Sequence, residues 1–117
     1  MGLLSELQTV GCNINEGKER MMGNEALYEK LLKKFPSSVF NLEVMPFIEK
    51  DDIQTAISNA HTIKGVTGNL SLTPLFTNYT QIVDLLRANK VEEAKELYIA
   101  TIPIQQNIVE IIQNYSW

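Results

Sequence analysis

Apolar residues recur along this chain at intervals of three and four, the spacing that puts them on one face of an α-helix. A first stretch, Leu3 to Val10, is set off by Gly11 and Asn13. Asn15 to Met22 is expected to form a short helix ending near Gly23, where glycine suits a left-handed cap. Asn24 is then a good N-cap, Glu25 falls in the first turn, and Ala26, Leu27, Leu31, Leu32 and Phe35 follow at helical spacing. Pro36 is expected to stop that helix, because proline disfavours helical backbone in the residue before it. Ser37 or Ser38 would cap the next helix, with Phe40, Val44, Phe47 and Ile48 inward. Pro46 sits either in its first turn or at a kink.

Asp51 and Asp52 open a helix running to about Leu70, with acids at the positive end of its dipole. Thr73 before Pro74 predicts another start, with Leu75, Phe76, Tyr79, Ile82, Val83 and Leu86 on one face, ending at Ala88-Asn89-Lys90. A last helix is expected from about Val91 to Tyr115, with Ala94, Leu97, Thr101, Ile108, Val109 and Ile112 on one side and a kink at Pro103. Valine, isoleucine and threonine never alternate steadily with polar residues, so no strands are expected. The pattern predicts an all-α fold: an up-down-up-down four-helix bundle with one or two short extra N-terminal helices. Tyr79, Tyr98, Phe76 and Phe40 are expected in or at the edge of its core, and Trp117 to fray.

The 117 residues are one domain's worth, and 44% hydrophobic content is that of a globular chain. A net charge of −4 supplies no basic footprint for nucleic acid or anionic lipid. No apolar run approaches the roughly 20 residues that span a bilayer, and the first residues lack a signal peptide's basic lead. The expected location is the cytoplasm. Cys12 and His61 are the only cysteine and histidine, which excludes an intrachain disulfide, a Cys/His zinc site and any two-histidine mechanism. Any chemistry must run through one imidazole, carboxylates, hydroxyls or a cofactor.

At about 100° per residue, Ala56, Ala60, Ile63, Thr67 and Ile53 group on one side of the Asp52–Leu70 helix, the side that should face the core. His61 lies roughly 120° away, pointing outward or to the bundle's edge. Ile57, Lys64, Gly65 and Gly68 share its stripe, and Gln54 and Ser58 complete the patch. A helix-interior glycine costs about 0.5–1 kcal/mol relative to alanine. On an exposed stripe, core packing would not account for Gly65 and Gly68. Their missing Cβ atoms would instead lower the surface beside the imidazole and let another backbone approach. Lys64, one turn on, can reach an anion on the histidine, and a phosphoryl group there would carry about −1.5 to −2 charges.

The run His61-Thr62-Ile63-Lys64-Gly65-Val66-Thr67-Gly68-Asn69-Leu70 resembles the signature of histidine phosphotransfer domains, a histidine followed by x-x-Lys-Gly, small residues and a leucine. The resemblance extends to Ala60, to Asn69 through Leu75, to Leu85 through Asn89 with the acidic helix after it, and to Met22 through Tyr28. It covers about residues 12 to 115 and identifies a single domain over 1–117, with its motif helix at about 52–70. Two departures stand out. Ser71 occupies a position where many members have glycine, and Val83 one where some have a glutamine beside the histidine, with Gln81 two residues earlier.

The resemblance implies a helical bundle that accepts a phosphoryl group from a receiver-domain aspartate and passes it to another. His61 would be the phosphoacceptor and Lys64 its charge partner. Gln54, Ile57, Ser58, Gly65 and Gly68 would form the docking face. The expected partner is a response-regulator receiver domain or a hybrid histidine kinase, with Mg²⁺ held in the receiver. No nucleic acid and no membrane are expected as partners. The chain itself would be a monomeric carrier rather than an enzyme, with no ATP site, no metal site and no resident cofactor. The alternative is a non-catalytic helical interaction module with an inert His61. Ser58, His61 and Asp84 supply the residue types of a hydrolase, but no nucleophile-elbow pattern accompanies them.

Overall fold

The computed structural model describes residues 2–115, so Trp117 lies outside the described residues. Among those residues the chain forms seven α-helices and no strand. They are α1 (Leu3–Thr9), α2 (Ile14–Arg20), α3 (Glu25–Phe40), α4 (Met45–Glu49), α5 (Ile53–Asn69), α6 (Thr73–Arg87) and α7 (Val91–Asn114). The long helices α5 and α6 lie side by side, α6 packs on α7, and α7 on α3. Short α4 sits on α5 and α7, and α1 on α7. No helix among the described residues is long and apolar enough to cross a membrane.

The core collects one face from each element. Tyr28, Leu32 and Phe35 of α3 meet Ala60 and Ile63 of α5, Tyr79 and Ile82 of α6, and Ile108 and Ile112 of α7, all essentially inaccessible to water. Polar groups that enter this core find partners. The Tyr28 hydroxyl donates to the Leu70 carbonyl at 2.6 Å, which fastens α3 to the end of α5. Thr101 donates to the Leu97 carbonyl and accepts from Asn78, and the Tyr79 hydroxyl donates to Gln105, so α6 and α7 are joined at two levels. No buried side-chain nitrogen or oxygen among the described residues lacks a hydrogen-bond partner, as a low-dielectric core requires.

Several expected boundaries differ. Pro36 does not end its helix, because α3 continues to Phe40. The apolar faces on either side explain this: Phe35 and Val39 are both buried, so packing outweighs the lost backbone hydrogen bond. Ser37 and Ser38 are not caps, since both hydroxyls donate back to the Lys34 carbonyl inside the same helix. Phe40 therefore leaves the core and stands 83% exposed. Of the residues expected inward with it, Val44 and Ile48 are buried around α4, where Pro46 falls in the first turn and needs no hydrogen bond. Thr73 is the first residue of α6 rather than its cap, and its hydroxyl bonds the Ser71 carbonyl and the Asn13 amide instead. Pro103 lies inside α7, as expected.

Five helices end in one chain reversal. After α1, α2, α4, α5 and α6 the next turn is closed by paired amide bonds onto the last helical carbonyls, with a left-handed residue between. Gly11 fills that position once, and Met22, Asp51, Ser71 and Asn89 fill it elsewhere. The expected left-handed glycine, Gly23, is the second left-handed residue after α2 and follows Met22.

Candidate functional site

Helix α5 is held at both ends and along one face. Asp52 caps it, accepting from the Thr55 amide at 3.3 Å. Ala56, Ala60, Ile63 and Thr67 are buried, and the Thr67 hydroxyl is returned to the Lys64 carbonyl at 3.0 Å. At the C-terminal end, Ser71 stands left-handed (φ 54°) yet nearly inaccessible. Its hydroxyl donates to Glu16 of α2 at 2.8 Å. A glycine would adopt this backbone without strain. The serine offsets part of the steric cost with a bond that glycine cannot make, and so draws α2 onto the end of α5.

With its inner face anchored, α5 presents the other face to solvent. His61, Gln54, Ser58 and Gly65 are exposed, and Ile57, Lys64 and Gly68 are half-buried. The imidazole makes no hydrogen bond or ion pair among the described residues, and neither does the Lys64 ammonium. The positions that could orient His61 do not do so. Val83 is fully buried in the core, and Gln81 is exposed without a bond to the imidazole. Ser58 and Asp84 are likewise not joined to His61, so no hydrolase triad is assembled.

The two glycines separate. A Cβ at Gly65 would meet nothing within 4 Å, so the space above it is open. A Cβ at Gly68 would lie 2.9 Å from two atoms of the Phe76 ring. The expectation that packing has no part in both glycines is corrected here: Gly68 makes room for an aromatic ring of α6.

Two open hollows flank His61 along α5, each of about 500 Å³. One lies toward the N-terminal end, lined by Gln54 and Ile57 with Arg87 and Asn89 from the end of α6. The other lies toward the C-terminal end, lined by Gly65, Gly68 and Asn69 with Phe76 of α6 and Glu16 and Arg20 of α2. The sequence singled out the α5 residues but not the two arginines. Their one visible signal was scarcity, since Arg20 and Arg87 are the chain's only arginines. A third hollow of about 470 Å³, between Phe40 of α3 and Ile112 of α7, is lined by none of the candidate residues.

Elsewhere the titratable groups offer little chemistry. Burial pushes the Cys12 thiol up to about 12, which keeps it protonated and unreactive. Burial likewise raises the Tyr28 hydroxyl to about 12. Glu16 is lowered, chiefly by the Ser71 hydroxyl it accepts and then by Arg20. No group of three or more His, Cys, Asp or Glu side chains among the described residues could hold a metal ion. Comparisons with family models, curated proteins and solved structures find no match to this chain.

Proposed function

We propose that this chain is a histidine-containing phosphotransfer protein, an up-down-up-down four-helix bundle of α3, α5, α6 and α7 with the shorter helices packed around it. In this role it is a cytoplasmic, monomeric carrier. The observation that carries the proposal is the setting of His61: an exposed imidazole in mid-helix, with a lysine one turn on and open space over Gly65. An inert surface histidine has no need of that opening, which costs helix stability.

The proposed reaction is a phosphoryl exchange. An imidazole nitrogen attacks the phosphorus of an aspartyl phosphate on a receiver domain. The N–P bond forms as the P–O bond to the aspartate breaks, the carboxylate leaves, and the ring, cationic once phosphorylated, releases the one proton on its other nitrogen. The reverse step loads another receiver. Lys64 would stabilise the dianionic group on the ring and the charge that passes through the transition state. The receiver would contribute its carboxylates and Mg²⁺, and docking would contribute alignment. Gln54, Ile57, Ser58, Gly65 and Gly68 form the face on which it docks.

Incubation with phosphorylated receiver domains tests this directly. Acid-labile, base-stable phosphate should accumulate on the wild-type chain and be absent from His61→Gln, whose helical circular dichroism should be unchanged. Equal labelling of His61→Gln, or binding of a receiver with no transfer, would overturn the proposal. The second outcome would favour an interaction module with an inert histidine.

A further inference from the structure

The flanks of His61 are arranged almost symmetrically. Gln54 and Ile57 precede it by two turns and one turn, and Gly65 and Gly68 follow it by one turn and two. Each pair opens into one of the two hollows, and each hollow has one arginine in its wall, Arg87 on the first side and Arg20 on the second. The chain has eight lysines and only these two arginines, against a net charge of −4. Guanidinium differs from ammonium in offering a planar fork that grips a carboxylate at two points.

Both forks are available. Arg87 has no ion pair or hydrogen bond among the described side chains. Arg20 is held by one edge only: its Nε lies 3.4 Å from Glu16 Oε1, the oxygen that also accepts from Ser71. The terminal nitrogens of Arg20 make no hydrogen bond or ion pair among the described residues. Arg87 also lies in the last turn of α6, where any cation interacts favourably with the helix dipole. A lysine would serve the dipole as well, so the dipole does not account for the fork.

We infer that Arg20 and Arg87 form a two-point clamp for carboxylates on the docking partner. This inference rests on the phosphotransfer reading and adds the partner's surface chemistry to it. The partner is a receiver whose phosphorylated aspartate is flanked by an acidic side chain on each side, seated in the two hollows as the aspartate reaches His61. Both arginines lie away from the imidazole along α5, so they act in docking and specificity rather than in the transfer step.

The test uses the full chain and a panel of phosphorylated receivers with Mg²⁺, measuring kcat and KM for the receiver that loads His61 fastest. Arg20→Ala and Arg87→Ala should each raise KM about three- to fivefold, and Arg87→Glu about tenfold or more, with kcat nearly unchanged. Arg87→Lys, which keeps the charge at the end of α6, should lose most of the effect of the arginine. Raising ionic strength should weaken the wild type more than either alanine variant. Labelling of His61 by phosphoramidate, which needs no docking, should be the same in every arginine variant. Unchanged KM in both alanine variants, an effect confined to one arginine, or a matching loss with phosphoramidate would overturn the clamp while leaving phosphotransfer standing. Failure of every receiver to label His61 would overturn phosphotransfer itself, and the clamp with it.

Discussion

A Cβ built at Gly17 of α2 would overlap the ring of Tyr28, while one built at Gly65 of α5 would meet open space. The same side-chain addition should therefore act in opposite directions at the two sites. Gly65→Ala gains helix propensity with no clash and should stabilise the fold by about 0.5–1 kcal/mol. If Gly65 exists for the partner's approach, that variant should also load His61 more slowly from a receiver. Gly17→Ala must displace a buried tyrosine whose hydroxyl bonds Leu70, and should destabilise by about 1–3 kcal/mol. Urea denaturation measures both, and transfer rates separate them further. Gly68 is intermediate, because Phe76, whose ring an added Cβ would meet, is 38% exposed. The sequence placed both α5 glycines on the histidine's stripe, and that much follows from helical period alone. It did not separate them, because the atom that claims the space over Gly68 comes from the neighbouring helix. The outward aim of His61 was legible for the converse reason: Ala56, Ala60, Ile63 and Thr67 fix the buried face within α5 itself.

At the scale of the helices, local signals were readable where the chain's own backbone decided the outcome. Asn24 and Asp52 cap as their side chains predict, each accepting an amide three residues on. The signals failed where tertiary packing outweighed them, as at Pro36, which stays inside α3 between two buried neighbours. The attachment of α2 to the end of α5 was not legible either, because it depends on a left-handed serine meeting a glutamate from a distant segment. That attachment should depend on pH. The Glu16 carboxyl is held below its ordinary value of 4.5, mainly by the Ser71 hydroxyl. A carboxyl depressed in the folded state contributes its stability above the unfolded pKa and loses it as pH falls through the folded one. The contact should thus be complete at neutral pH and weaken only below about 4.5. Amide exchange at Asn13, whose N–H is bonded to the Ser71 carbonyl at 3.0 Å and to the Thr73 hydroxyl, should accelerate over that acid range relative to its intrinsic rate at each pH. In Glu16→Gln the acceleration should be absent. A transition near pH 6 would mean that another group controls the junction.

Over the whole molecule, the candidate chemistry and the fold occupy separate surfaces. The helices are tied together by Tyr28 to Leu70, Asn78 to Thr101 and Tyr79 to Gln105, and none of these bonds uses His61 or Lys64. The core residues of α5 lie on the side opposite its exposed stripe. In the proposed carrier role this separation would let the charge at His61 change while the shape stays fixed. Phosphorylation of His61, as proposed, would add about −1.5 to −2 charges to a chain already acidic overall. The effect should stay local, since Lys64 is one turn away and the change is to solvent-exposed groups. Chain labelled with phosphoramidate should melt close to the temperature of the unlabelled chain, as surface changes remote from packing usually shift stability by no more than about 0.5 kcal/mol. Amide resonance shifts should be confined to the turns of α5 around His61 and to the adjoining face of α6. Lys64→Ala should leave the melting temperature of the empty chain nearly unchanged and shorten the lifetime of the phosphohistidine. Shifts that spread into α3 and α7, or a melting temperature that moves by many degrees on labelling, would show that the histidine is coupled to the core and that the molecule switches conformation.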